Sequence, residues 1–254
     1  MLIQALTNQV WQAFRQKATQ SPDGGNPAAP VTDLYGNVKM FPGSPEMLGA
    51  DEGSEYSAAN VTPLTGITGT GSLTTDAAAN LAPFLVLQNQ SSGIPGQGAI
   101  RAYLRYIRII QTATVPTSAT NWRFTAWVDN VSGKVTTAGT TLTSYQVNGD
   151  ASGSSKCLVQ AGAIVTTAPG TNGRRVLNAS ARTVIPVSGD EWLIEFGNPS
   201  PSTGILNGTN PTNFRMRAPA TVIGPGQNFS FAMFGASAGA TAPVCEVEVV
   251  WCER

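Results

Sequence analysis

Three groups of residues in this chain have the types from which active sites are built. The stretch SGDEWLIEF carries Asp190, Glu191 and Glu195. Two carboxylates suffice for glycoside hydrolysis when one serves as acid and the other as base or nucleophile. Gly235-Ala236-Ser237-Ala238-Gly239 spells G-x-S-x-G, the signature of a nucleophile elbow. Cys245 and Cys252 stand in CEVEVVWCER, the last ten residues, and Cys157 is the only other thiol.

Each group meets a physical objection. On a strand Glu191 and Glu195 share a face with Leu193 between them. They are then about four times ~3.3 Å apart, wider than either glycosidase spacing, although folding could bring Asp129 near. Ser237 needs a base, and the chain contains 0 histidines. The residues after it, ATAPVCEV, lead into a strand rather than a helix, so a small-residue loop is expected. At strand rise Cys245 and Cys252 lie roughly 23 Å apart, far beyond the ~4.4–6.8 Å of a disulfide. They also point to opposite faces, and Cys157 could pair with only one of them. Alternation turns Cys245, Val247, Val249 and Trp251 to the core and Glu246, Glu248, Val250 and Cys252 away from it.

Histidine is the usual general base near neutral pH and the commonest metal ligand. Its absence removes Ser-His-Asp and Cys-His catalysis and imidazole-bound zinc. The expectation is a protein that is not an enzyme, with no catalytic residue, no cofactor and no metal.

Arg101, Arg105, Arg108 and Arg123 form the one basic concentration, interleaved with Tyr103, Tyr106, Trp122 and Trp127. Such a mixture resembles a single-strand nucleic-acid platform. Strand alternation divides it, with Arg101 and Arg105 on one side and Arg108 on the other. Formal net charge is +0, whereas phosphate binding needs an excess of Lys and Arg. Nucleic acid is therefore not the expected partner, and Arg101 and Arg105 are candidates for a protein interface, where guanidinium groups bond bidentately.

These residues sit in a charge-poor chain. Of its 254 residues 12% are charged and 41% hydrophobic. A neutral surface of Thr, Ser, Asn, Gln, Gly and Ala suits packing against other protein. No run approaches the ~18 apolar residues of a membrane helix, and MLIQALTNQVWQAF lacks the basic start of a secretory signal.

Three organisational zones follow. Residues 1–20 predict a short amphipathic helix, with Leu2, Leu6, Val10 and Phe14 on one stripe and Trp11 at its flank. A helix this short needs a surface to lie on, so these five residues are candidate interaction residues. Residues 21–80, rich in Gly, Pro, Ala and Thr, predict an extended arm. From residue 81 to 254 short strands alternate with turn clusters: PFLVLQNQ, AIRAYLRYIRIIQT, NWRFTAWVDN, TLTSYQVNG, KCLVQAGAIVTT, RVLNASARTVIPV, EWLIEFGN, FRMRAPATVI, NFSFAMFG and VCEVEVVW. The fold class is all-β, a jelly-roll-like antiparallel β-sandwich. The long segment NPSPSTGILNGTNPTN suits a Greek-key crossing.

A short amphipathic start, a long arm and a charge-poor β-domain together resemble tailed-bacteriophage virion proteins of the decoration, head-fibre or minor capsid type. NWRFTAWVDN and SGDEWLIEFGNPS are similar to segments in that group. The resemblance implies a structural role: self-association as a homo-oligomer, as trimers or larger rings, and attachment to the major capsid protein or a tail. It also implies a virion assembled in the host cytoplasm, where thiols stay reduced. The alternatives are a receptor- or glycan-binding module, with Trp122, Trp127 or Tyr145 at a rim, and a carboxylate-based hydrolase.

Overall fold

The computed structural model describes residues 53–60, 62, 65–69, 81–91, 99–112, 122–148, 153–169, 173–180, 188–197, 214–235 and 242–254. The expected helix over 1–20 lies outside them, as does the arm up to residue 52. Sixteen strands form among the described residues: β1 (Glu55–Ala59), β2 (Ile67–Thr68), β3 (Leu85–Asn89), β4 (Ala102–Gln111), β5 (Trp122–Asp129), β6 (Val135–Thr137), β7 (Thr140–Leu142), β8 (Ser144–Gln146), β9 (Cys157–Ala161), β10 (Val165–Thr166), β11 (Arg174–Ser180), β12 (Glu191–Phe196), β13 (Phe214–Ala218), β14 (Val222–Ile223), β15 (Asn228–Gly235) and β16 (Val244–Glu253).

Eight of these strands make the sandwich. One sheet runs β1-β16-β4-β12 and the other β3-β15-β5-β11, and every neighbouring pair is antiparallel. Along the chain, successive strands of this set change sheet at every step except β5 to β11. That interleaving is the double Greek key of a jelly roll. The excursion between β5 and β11 extends both sheets: β8 joins the free edge of β1, and β9 with β7 joins that of β3.

Aromatic rings weld the two sheets. Phe124 on β5 lies 5.8 Å from Trp192 on β12, and Phe196 on β12 meets Phe229 on β15 edge-on at 5.6 Å. Such rings dominate core burial and add directional contacts beyond area. Ile107, Ile109, Val247, Val249 and Trp251 complete the inner face of the first sheet.

Three features depart from expectation. The sandwich starts before residue 81: β1, inside the stretch read as arm, pairs with β16 on one side and β8 on the other and buries Tyr56 and Ala58. The segment NPSPSTGILNGTNPTN lies outside the described residues, but the two strands it connects belong to one sheet, where a crossing between sheets was expected. It joins β12 to β13, its parallel neighbour in the same sheet, and its length meets the dozen or more residues a parallel connection needs. Finally, the β4–β16 register shifts between Val250 and Trp251, from Val250 opposite Tyr106 to Trp251 opposite Leu104. Arg105 is the extra residue of a bulge, which bends a strand and resets its alternation. Ala102, Leu104, Ile107 and Ile109 all belong to the core, not the unbroken alternation expected.

Candidate interaction surface

The bulge decides what the outer face of the first sheet carries. With Leu104 and Ile107 inward, Arg105 and Tyr106 both fall to the outer side, followed by Arg108 and Ile110. Arg105 and Arg108 therefore share a face, which corrects the expected division between them. Arg123 is the residue set apart: it belongs to β5 in the other sheet. The basic concentration is split by the sandwich, not by alternation. Arg101 precedes β4, is exposed, and exchanges two backbone hydrogen bonds with Arg254, of 2.7 and 2.9 Å.

Strand by strand, this face alternates in charge. The outward ionisable residues are Arg215 and Arg217 on β13, Glu191 and Glu195 on β12, Arg105 and Arg108 on β4, and Glu246 and Glu248 on β16. These four strands are consecutive neighbours, so every stripe of one sign lies beside a stripe of the other. Pairs between adjacent strands stitch the stripes together, Arg108–Glu248 directly opposite and the others diagonal. Arg108 Nε donates to Glu191 Oε1 at 2.6 Å, and its Nη1 lies 3.9 Å from Glu248 Oε2. The hydrogen bond to Glu191 raises the guanidinium above its ordinary range despite partial burial, so it stays charged. Arg215 Nη2 pairs with Glu195 Oε1. Tyr106 Oη donates to Glu248 Oε1 at 3.1 Å, and burial followed by that carboxylate pushes the phenol up to about 12.

Glu191 and Glu195 do share a face, as the strand pattern requires. Each is held by an arginine. Asp129 does not join them, because it lies on β5 in the opposite sheet. There its carboxylate is buried, with Lys134 Nζ 2.7 Å from Oδ2 and Asn228 Nδ2 donating to Oδ1 at 3.3 Å. Lys134 Nζ also donates to Thr167 O at 2.8 Å, so this ammonium is fixed between the last residue of β5 and the residue that follows β10. Nothing in VDNVSGKV signals a buried lysine. The turn was legible, its role as a cover was not.

A second buried carboxylate that gathers several donors is Glu253 on β16. Glu253 Oε1 accepts from Trp251 Nε1 at 2.9 Å and from Ser155 Oγ at 2.5 Å, and its Oε2 accepts from Lys156 N at 3.0 Å. Tyr56 stacks on Trp251 at 6.0 Å. The contacts tie β16 to the start of β9, across the two sheets. The three cysteines are free and buried. Cys252 does point away from the core side, as expected, but lies under cover beside Ser54 Oγ at 3.3 Å.

Of the candidate rim aromatics, Trp127 is buried on the outer face of the second sheet with Arg175 stacked 5.4 Å from its ring, whereas Tyr145 on β8 is 61% exposed. Only the backbone of Trp122 is described. Leu2, Leu6, Val10, Trp11, Phe14 and Ser237 lie outside the described residues. A cleft of about 480 Å³ opens beside Asp129, lined by Asn130, Arg174, Thr221 and Gln227. Among the described residues no group of three or more His, Cys, Asp and Glu could hold a metal ion, and no helix is long and apolar enough to cross a membrane. No family model, curated protein or solved structure matches this chain.

Proposed function

We propose that this protein is a non-enzymatic structural component of a bacteriophage-type virion, which self-associates and attaches to capsid or tail proteins through its N-terminal arm and its β-domain. The observation that carries the reading is the pairing of jelly-roll connectivity with a sheet face whose ionisable groups are matched to one another strand by strand. Jelly rolls serve viral capsid domains among other roles, and a face patterned but internally neutral is suited to packing against protein rather than to holding a charged substrate.

The arm tests the reading. Deleting residues 1–20 is expected to weaken assembly, measured by light scattering and by electron microscopy of the native particle. The thermal unfolding of the β-domain should be unchanged. If the deletion melts the domain instead, the N-terminal stripe is core and the arm is not an attachment device.

Tyr145, exposed at the edge of the first sheet, favours a second reading, since jelly rolls also form lectins: a receptor- or glycan-binding module. Binding on a glycan array that is lost in Tyr145→Ala would replace the structural reading with this one.

A further inference from the structure

The charge stripes on the first sheet have a symmetry property. Across β13, β12, β4 and β16 the signs run plus, minus, plus, minus. Reversing that order gives minus, plus, minus, plus, its complement. We infer that this face is an interface between two copies of the chain, related by a two-fold axis that lies in the interface parallel to the strands and midway between β12 and β4. That operation sets β13 of one copy over β16 of the other, and β12 over β4, so that all four stripes meet the opposite sign. A two-fold axis across the strands would instead set each stripe on its own sign, and like-charge contacts suppress association. The inference rests on the proposed self-association and gives it a surface and a symmetry.

The occupant is specified by charge complementarity. A closed two-fold contact uses one patch twice, so the patch must complement itself, and this one does so at the level of whole strands. Arg108 and Glu248 retain side-chain exposures of 43% and 33%, enough to reach a second partner beyond the intramolecular pairs. Ile110, Leu193 and Tyr106, each half-buried, lie among the charges as apolar spacers.

Size sets the strength. Four strands at about 4.8 Å and three rows at about 6.7 Å cover roughly 400 Å² per copy, half of the ~800 Å² that a standard interface buries on each partner. The contact alone is therefore weak and salt-sensitive, because exposed ion pairs are screened within a Debye length of about 10 Å at 0.1 M salt. It gains strength when other contacts in an assembly hold the copies near one another.

The experiment is sedimentation velocity of the full chain, in about 50 mM and about 500 mM NaCl, with two reversed-charge variants. Glu246→Lys/Glu248→Lys makes the β16 stripe positive, and Arg215→Glu/Arg217→Glu makes the β13 stripe negative. Each variant alone sets like charges against each other twice in the two-fold pair, and dimerisation is expected to weaken about tenfold or more. Mixed together, the two variants restore the match on both sides, so the mixture should dimerise as well as the wild type. Circular dichroism checks folding. If a reversal unfolds the chain, Glu246→Gln/Glu248→Gln replaces it and should reduce the salt dependence, since the β12–β4 stripes still pair. Wild-type association indifferent to every substitution would overturn this interface while leaving self-association standing. A strict monomer at all concentrations and both salts would remove both.

Discussion

Lys134 Nζ sits 2.7 Å from Asp129 Oδ2 with both side chains withdrawn from solvent, at 0% and 1% exposure. A charge in that position is tolerated only with partners. Asp129 Oδ1 also accepts from Val131 N at 3.2 Å, and the lysine has its second partner in Thr167 O. Removing one member leaves the other buried and unmatched. Lys134→Ala is therefore expected to cost about 3–5 kcal/mol. Lys134→Met combined with Asp129→Asn should recover much of that, because no unpaired charge stays buried and the amide oxygen can still accept from Val131 N and Asn228 Nδ2. Urea unfolding of the two variants checks the ordering, and a double variant as unstable as the single would mean that the pair is favourable in its own right.

Glu253 makes the corresponding prediction for the chain terminus. It gathers an indole from its own strand, and a hydroxyl and a backbone amide from the loop that leads into β9. Glu253→Ala leaves those three donors in a site with 8% exposure at the residue itself. Bonds to a charged acceptor contribute more than neutral ones, so a loss of about 2–4 kcal/mol is expected. Glu253→Gln keeps the shape and an acceptor and should lose about half as much. Melting temperatures of the two variants, with Glu246→Ala on the outward face as the mild control, read the difference.

These two residues mark where the sequence stops being legible. The strands from residue 81 onward could be read because their texts alternate and are bounded by turn residues, and β3, β4, β5, β12, β13 and β15 fall within the stretches so read. The segment EYSAA has neither β-branched residues nor a sustained pattern. It is a strand because β16 and β8 supply partners on both its sides, and pairing is not a property of five residues. The Arg105 bulge escapes for a related reason. An extra residue is defined only by counting against the opposite strand, so alternation read from β4 alone runs out of phase after Leu104. Lys134 and Glu253 belong to residue types that are almost never fully buried unless paired, so nothing in the sequence marks them as core, and the pairing is set by loops folding over them. The charge stripes were half visible: Glu191 and Glu195, or Glu246 and Glu248, are evident on their own strands, while the sheet order that makes them alternate is not.

Tyr106 supplies a pH prediction from that striped face. Its phenol ordinarily ionises at 10.0 and is pushed up to about 12, first by burial and then by the Glu248 carboxylate 3.1 Å away. A group raised in the folded state stabilises it fully below the unfolded value. That stability is lost as pH climbs through the folded value. The contribution of Tyr106 is thus intact at pH 9 and disappears between about pH 10 and 12. In an alkaline absorbance titration Tyr106→Phe should delete a late-ionising phenol. Glu248→Gln should move the same phenol back toward the ordinary value while leaving it elevated, because burial is the larger cause. A phenol that does not move in Glu248→Gln would assign the whole elevation to burial.

The thiols give the last prediction, and it separates regions of the fold. Cys245 Sγ donates to Gln111 Oε1 at 3.1 Å inside the core, and burial pushes its thiol well above the ordinary range. Cys157 is pushed up by burial and then by the Glu253 carboxylate. Since the thiolate is the reactive form, neither should react with DTNB at pH 8 in the native protein, and Cys252, 2% exposed, is shielded from the reagent by its cover. All three of the cysteines should react in concentrated denaturant. In sub-denaturing urea the order distinguishes the two ends of β16. Local opening is easiest away from the packed core, and Cys252 lies outside the core cluster that holds Cys245, so Cys252 should label first and Cys245 only with global unfolding. Mass spectrometry of the labelled peptides gives the order directly. Simultaneous labelling of Cys252 and Cys245 would mean that the closing strand leaves the sheet as one unit, and that the Glu253 contacts hold its end as firmly as the aromatic core holds its beginning.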